Sequence, residues 1–188
     1  MSESSELSRW IDQLADPDPA QRAAAAEHLY REGASLFSSA AAEWMQHPEF
    51  RALVRPGGCI VGVAVGPAAF DAIRAANASP HLADVPPDQD AKEFELDLAG
   101  GHFDILTTRV PGGSGAIARY LAKFGAGIQQ IELNVIDVDR ATEILRVRFA
   151  VAPLYPATRP GADGTRVNFF LVPAPGKKAL IELVEKAK

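Results

Sequence analysis

The sequence predicts an α+β protein in which a helical front segment precedes two βαβββ halves. Three observations carry that prediction. Apolar residues recur at helical spacing up to Pro56 and mostly at strand spacing beyond it. A strand, helix and further strands then occur twice, at a spacing of roughly 70 residues, which marks an internal repeat. Between the two occurrences, Gly101 to Asn134 reads as a strand, a Gly-rich passage, a short helix, a Gly turn and a second strand. The expected organisation is a helical segment over residues 1–56 and a β-rich domain over 57–188, with halves at 57–110 and 126–188.

The composition fits such a domain. With 188 residues, 47% of them hydrophobic and 23% charged, the chain is long enough to bury a core. A net charge of −5 with no local Lys/Arg run argues against nucleic acid and anionic membrane surfaces as partners. Cys59 is the single cysteine, so no internal disulfide can form. No apolar N-terminal signal precedes the helices, and no apolar run approaches the ~20 residues of a membrane span. A cytoplasmic location is the expectation.

Taken in order, Ser5 to Ala15 places Leu7, Trp10, Ile11 and Leu14 on one helical face, and Asp16-Pro17-Asp18-Pro19 breaks that helix. Asp18 can cap the next, with Pro19 at its first position and Gln21 three residues after the cap. Gly33 should end it, and Ser35 to Gln46 should form a third helix stopped by His47-Pro48. Leu14 to Pro19 running into Arg22-Ala23-Ala24-Ala25-Ala26 and Leu29 resembles one HEAT repeat. A lone repeat cannot bury its own apolar face. These helices therefore either pack on the β region or offer a face to a protein partner.

In the first half, Cys59 to Val65 is a short apolar strand suited to burial on both faces. Pro67 to Ala78 is helical, and His81 to Asp90, with two prolines, is an irregular loop or a poor edge strand. Ala91 to Ala99 and Gly101 to Arg109 alternate apolar and polar residues around a Gly100-Gly101 hairpin signal. A helix over Ile117 to Phe124 leads to the second half. There, strands are expected at Ile128 to Val135, Ala150 to Tyr155, Thr165 to Val172 and Ala179 to Val184, with a helix over Val138 to Arg148. Pro160 to Gly164 and Pro173 to Gly176 mark the turns.

Strand periodicity assigns the faces. Ile131, Leu133 and Val135 form the apolar set that should meet a covering helix, which turns Gln130, Glu132 and Asn134 the other way. Phe103 and Ile105 likewise leave His102, Asp104 and Leu106 opposite, and Ile181 and Leu183 leave Leu180, Glu182 and Val184 opposite. Polar residues thus collect on one face of each half. A solvated sheet face would show the same alternation.

Several segments carry a family resemblance. Phe103-Asp104-Ile105-Leu106 closes the first half, Ala116-Ile117-Ala118-Arg119-Tyr120-Leu121 leads on, and Gly127-Ile128-Gln129-Gln130-Ile131 opens the second. Ala179-Leu180-Ile181-Glu182-Leu183-Val184-Glu185 looks like a last strand. Over about Cys59 to Glu185 these segments resemble the vicinal oxygen chelate (glyoxalase and bleomycin-resistance) superfamily, and within it the methylmalonyl-CoA epimerases.

The resemblance implies a curved sheet around a cavity, with a metal held by the first and last strands of each half. Carried over, those positions are Ile60, Asp104, Gln130 and Glu182. Ile60 cannot ligate, and Gln130 stands where the epimerases usually carry a histidine. The remaining set, Asp104, Gln130 and Glu182, is all oxygen and suits Mg²⁺, Mn²⁺ or Ca²⁺ better than the softer Zn²⁺ or Co²⁺. His102, two residues before Asp104, is an alternative nitrogen ligand. The implied chemistry is that of an isomerase or lyase, in which the metal polarises a carbonyl or acyl-CoA thioester and a carboxylate removes the neighbouring proton. Glu132 and Glu182 are the catalytic candidates. Without a cation, Asp104, Glu132 and Glu182 in one cavity would repel, leaving at least one protonated. Because the family pairs its halves within or between chains, the resemblance allows a homodimer.

Two alternatives stay open: a metal-free small-ligand-binding protein of the bleomycin-resistance type, and a non-catalytic interaction protein working through its front helices. Other polar residues read as ordinary. His28, His47 and His81 read as surface side chains, and Cys59 as a small buried hydrophobe. Arg159, Arg166, Lys177 and Lys178 are scattered cations that could contact a phosphorylated or CoA-like ligand. Gly112-Gly113-Ser114-Gly115 lacks the GK[ST] continuation of a phosphate loop and reads as a linker.

Overall fold

Two prolines within Asp16 to Pro19 remove amide donors that a helix would need, and the chain breaks there. The computed structural model describes residues 3–174 and 177–186. It places α1 at Glu3–Gln13 and α2 at Pro19–Gln46. Asp18 Oδ1 accepts the Ala20 N–H at 2.9 Å, which caps α2 as its position before Pro19 requires.

The stop expected at Gly33 does not occur, because α2 runs through it for 28 residues. Gly33 is instead a point of close approach between helix and strand. A Cβ there would lie 2.8 Å from Val61 Cγ1 and nearer still to Cγ2, and Val61 is fully buried. Gly33→Ala gains about 1 kcal/mol of helix propensity. It forces overpacking that costs typically 1–3 kcal/mol against a β-branched side chain with few alternative rotamers. The expected result is net destabilisation, read as a lower melting temperature; a higher one would mean that the helix stands off Val61.

The chain divides into two packing units, Met1–Gly33 with Val61–Gln129 and Ala34–Ile60 with Gln130–Lys188. Both are α+β. In the first, β3 (Gly101–Thr108) is central, pairing parallel with β1 (Ile60–Ala64) and antiparallel with β2 (Ala91–Leu98). The β2–β3 hairpin turns on Ala99 and Gly100, at φ 51° and 76°, so both central residues are left-handed as a type I′ turn requires. Gly101, which the sequence placed in the turn, is the first residue of β3.

One face of this sheet is covered by helices. Phe94 meets Phe70 of α4 (Pro67–Ala76) at 4.9 Å between ring centroids, and Phe103 meets Tyr30 of α2 edge-on at 6.1 Å. Asn77 Nδ2 donates to Leu14 O at 2.9 Å. The front helices therefore pack on the β region, the first of the two options the lone repeat left open. Of the segment His81 to Asp90, Ala83 donates its N–H to Glu93 O and Pro87–Gln89 forms a 3-10 turn, so it is a loop along the sheet edge. α5 (Ala116–Phe124) follows, and Tyr120 OH donates to Ile128 O at 3.0 Å. Burial pushes the Tyr120 phenol up to about 12, so it stays protonated and able to donate.

The second unit has the order β4 (Gly127–Asn134), α6 (Val138–Phe149), β5 (Arg159–Pro160), β6 (Arg166–Ala174) and β7 (Lys177–Glu185). Its sheet runs β4-β7-β6-β5, with β4 parallel to β7 and the other pairs antiparallel. The strand expected at Ala150 to Tyr155 is absent. Ala150 ends α6 in a left-handed conformation, and Pro153 and Pro156 cannot donate to a ladder, although Leu154 N–H still reaches Phe169 O at 2.8 Å. The strand forms later, at Arg159–Pro160. Of the turn expected at Pro173 to Gly176, Pro173 and Ala174 belong to β6, whereas Pro175 and Gly176 lie outside the described residues.

Trp44, on the second part of α2, packs edge-on against Phe170 at 6.2 Å and against Phe50 of α3 (Pro48–Arg51) at 5.9 Å. Val54 bridges to Val135, and Arg55 N–H donates to Asn134 O at 2.8 Å. Asp137 caps α6 by accepting the Arg140 N–H at 2.8 Å. Among the described residues, no helix is long and apolar enough to cross a membrane.

Candidate functional site

The alternation in β4 and β7 fixes what each face carries. Ile131, Leu133, Ile181 and Leu183 are fully buried on the helix side. On the other side, Gln130, Glu132 and Glu182 are 8%, 7% and 8% exposed, so this is not a solvated sheet face. Burying three such groups is costly unless they find partners, which makes this face the candidate site.

Parallel pairing makes Glu132 and Glu182 Cα partners, and directly paired residues point to the same face. Gln130 Nε2 donates to Glu182 Oε2 at 2.5 Å. Gln130 and Glu132, neighbours on β4, are thereby brought together with Glu182, which lies far later in the chain, in the second unit. Asp104, in the first unit, lies on β3 as the Cα partner of Gly62 and Glu95 and is 7% exposed. The Asp104 face of that sheet carries Glu95 and Leu106 and, at the hairpin end, the pair Asp97 and His102. His102 Nδ1 bonds Asp97 Oδ1 at 2.5 Å, and both side chains are largely exposed, so the imidazole is engaged by its cross-strand neighbour.

Two of the remaining histidines sit against aromatic rings, and the third, His81, is exposed. His28 stacks on Trp10 at 4.1 Å, and His47 meets Phe149 edge-on at 5.6 Å. Cys59 is buried.

Register and packing add Phe169 and Tyr155, which the sequence reading did not assign to the site, and bring to it Arg159, which read there as a scattered cation. Phe169 is the Cα partner of Glu182, so its partly exposed ring shares the Glu132–Glu182 face. Tyr155 packs edge-on against Phe169 at 6.0 Å, and the Arg159 guanidinium sits 4.4 Å from the Tyr155 ring centroid. Arg159 is the partner of Val167, and Val167 that of Val184, which puts Arg159 on this same face. Asn134, the partner of Val184, has a buried Oδ1 with no hydrogen-bond partner among the described residues. The alternation of Phe169 with Phe170 hinted at an inward and an outward ring, but only pairing tells which is which.

Arg166 faces the other way. It donates to Asp139 at 2.5 Å, to Glu185 at 3.2 Å and to Thr158 at 3.0 Å, and the Arg166 hydrogen bond is the main cause holding the Asp139 carboxyl below its usual range. A carboxyl depressed by folding contributes stability above its unfolded pKa and loses it as pH falls through the folded value. Because the pair is solvent-exposed, Asp139→Asn is expected to change acid unfolding only slightly. A large shift of the acid midpoint would show the network to be stronger than its exposure allows.

As for a metal, the donors adjacent in the second unit are the Gln130 amide and the Glu132 and Glu182 carboxylates, all hard oxygen ligands. They fit Mg²⁺ or Mn²⁺ if the Gln130 amide turns its oxygen toward the ion. Among the described residues there is no group of three or more His, Cys, Asp or Glu arranged to hold a metal.

Strand-helix modules with buried carboxylates on the face away from the helices can be set beside those of known proteins. No family model matches the sequence, and no curated protein matches it. Solved structures do. Methylmalonyl-CoA epimerase from Mycobacterium tuberculosis is 30% identical over 68% of this chain and 86% of its own, with a TM-score of 0.54. A Streptomyces coelicolor methylmalonyl-CoA epimerase variant in complex with 2-nitronate-propionyl-CoA is 26% identical, covering 72% of this chain and 99% of that one, with a TM-score of 0.55. A further methylmalonyl-CoA epimerase, in complex with methylmalonyl-CoA and NH4+, is 27% identical over 72% and 96%, with a TM-score of 0.54. The chain belongs to the vicinal oxygen chelate superfamily. The three solved structures just named are of methylmalonyl-CoA epimerases, two of them holding acyl-CoA compounds.

Proposed function

We propose that the protein moves a proton at the carbon next to a carbonyl or thioester of a small acyl ligand, in the manner its similarity to methylmalonyl-CoA epimerase suggests. The observation that supports this reading most is the pair of buried carboxylates, Glu132 and Glu182, at paired positions on one sheet face with Gln130 hydrogen-bonded to Glu182. Two carboxylates at directly paired positions are stabilised when a proton moves onto one of them. That favours Glu132 taking the α-proton of the ligand and returning it, with Glu182 held beside it by the Gln130 N–H.

Where a divalent ion is bound, Gln130 and Glu182 are the second-unit residues that would hold it. Bound there, the ion would supply electrophilic stabilisation of the developing enolate charge. A second reading, ligand binding without a metal or catalysis, is favoured by the direct Gln130–Glu182 bond, which satisfies that pair without an ion.

Incubation with methylmalonyl-CoA in D₂O, with and without added Mg²⁺ or Mn²⁺, is expected to wash deuterium into the α-position. Absence of exchange under every condition, alongside measurable binding, would sink the catalytic reading and leave sequestration. Elemental analysis of protein purified without chelators decides the metal.

A further inference from the structure

The face that carries Glu132 and Glu182 poses an electrostatic problem for any acyl-CoA or dicarboxylic ligand. Such a ligand is an anion, the chain carries a net charge of −5, and the proposed reacting groups are themselves carboxylates. A cation on the same face would offset that repulsion, and the strand register supplies one. Arg159, Val167, Val184 and Asn134 form a row of Cα partners across β5, β6, β7 and β4. The neighbouring row on that face is Phe169, Glu182 and Glu132. Arg159 is thus two strands and one row away from Glu182, about 10 Å across and 7 Å along the sheet by ordinary strand spacings.

Its side chain is not left to wander. The guanidinium lies over Tyr155, which packs on Phe169, which is paired with Glu182. This aromatic ladder leads from the buried carboxylates to the cation, and stacking lowers the entropy an arginine loses when it binds an anion. β5 is only two residues long, and Gly161 N–H donates to Thr165 O just beyond it, so the short strand is anchored at Arg159 and Pro160. Arg166, one residue before Val167 on β6, faces the opposite side of the sheet, where it bonds Asp139 and Glu185.

We propose that Arg159, on its Tyr155 platform, binds the anionic group of a ligand whose carbonyl end lies against Glu132 and Glu182, with Val167 and Val184 as the apolar floor between. This rests on the ligand class proposed above and names what selects within it. The anion is a carboxylate of the acyl group or a phosphate of its carrier; both match the planar guanidinium fork.

Titration calorimetry of wild type, Arg159→Gln and Arg159→Lys with methylmalonyl-CoA, propionyl-CoA and free coenzyme A tests it. Arg159→Gln is expected to weaken binding by about tenfold or more, roughly 1.4 kcal/mol or greater. Arg159→Lys, which keeps charge without the planar stack, should recover part of it and decides the matter if the Gln variant melts early. A loss confined to methylmalonyl-CoA identifies the acyl carboxylate; a loss shared with propionyl-CoA and coenzyme A identifies a phosphate. Equal affinities of wild type and both variants for whatever wild type binds would overturn the role of Arg159, while α-proton exchange by the wild type would leave the proposed function standing. No binding of any of the three to wild type would overturn both.

Discussion

Glu132→Gln is expected to lower α-proton exchange by about 10²- to 10⁴-fold, the usual contribution of a positioned general base, while leaving the melting temperature close to that of wild type. The substitution keeps the side-chain volume on a buried face where Glu132 is 7% exposed. It removes one of two adjacent carboxylates, so relief of repulsion with Glu182 offsets part of any lost hydrogen bonding. Glu182→Gln should also lose activity, but with a structural signature as well, because Gln130 N–H would then face a neutral amide instead of the carboxylate it bonds at 2.5 Å. Measured exchange rates decide the assignment. If Glu132→Gln retained full exchange and Glu182→Gln lost it, the base would be Glu182.

The largest effect on stability is expected from Phe170→Ala. Phe170 is fully buried, pairs with Ile181 on the helix side of the second sheet and packs edge-on against Trp44 at 6.2 Å. Removing such a ring costs about 3–5 kcal/mol in transfer and cavity terms. At about 2–4 °C per kcal/mol for a chain of this size, that is a fall of roughly 10 °C in melting temperature. Phe169→Ala, one residue earlier, is the internal control. That ring is partly exposed on the opposite face, so truncation there should cost far less stability and instead weaken ligand binding through loss of the Tyr155 platform. Equal destabilisation by the two changes would mean that the β6 register is shifted by one residue.

These contrasts show how much was legible along the chain and where legibility stopped. Helix breaks at Asp16 to Pro19 and at His47-Pro48 are local, because a proline removes its own amide wherever it sits. Gly33 misled, since a glycine that ends a helix and one that admits a neighbouring strand look alike until Val61 is seen against it. The segment from Ala150 to Tyr155 misled for a similar reason. Its apolar residues suit a strand, but Pro153 and Pro156 break the ladder, and the pairing moves on to Arg159–Pro160.

By itself the sequence determined which residues share a face. Side chains alternate with a period of two, so Gln130, Glu132 and Asn134, and likewise Leu180, Glu182 and Val184, were bound to turn away from the helices wherever their strands paired. Only the tertiary structure decided who meets whom. Pairing of β4 with β7 set Glu132 beside Glu182 and brought Gln130 onto it, and pairing of β5 with β6 delivered Arg159 to the same face. The physical reason is that alternation is a property of one strand's backbone, whereas register is chosen by the packing of all strands and helices together.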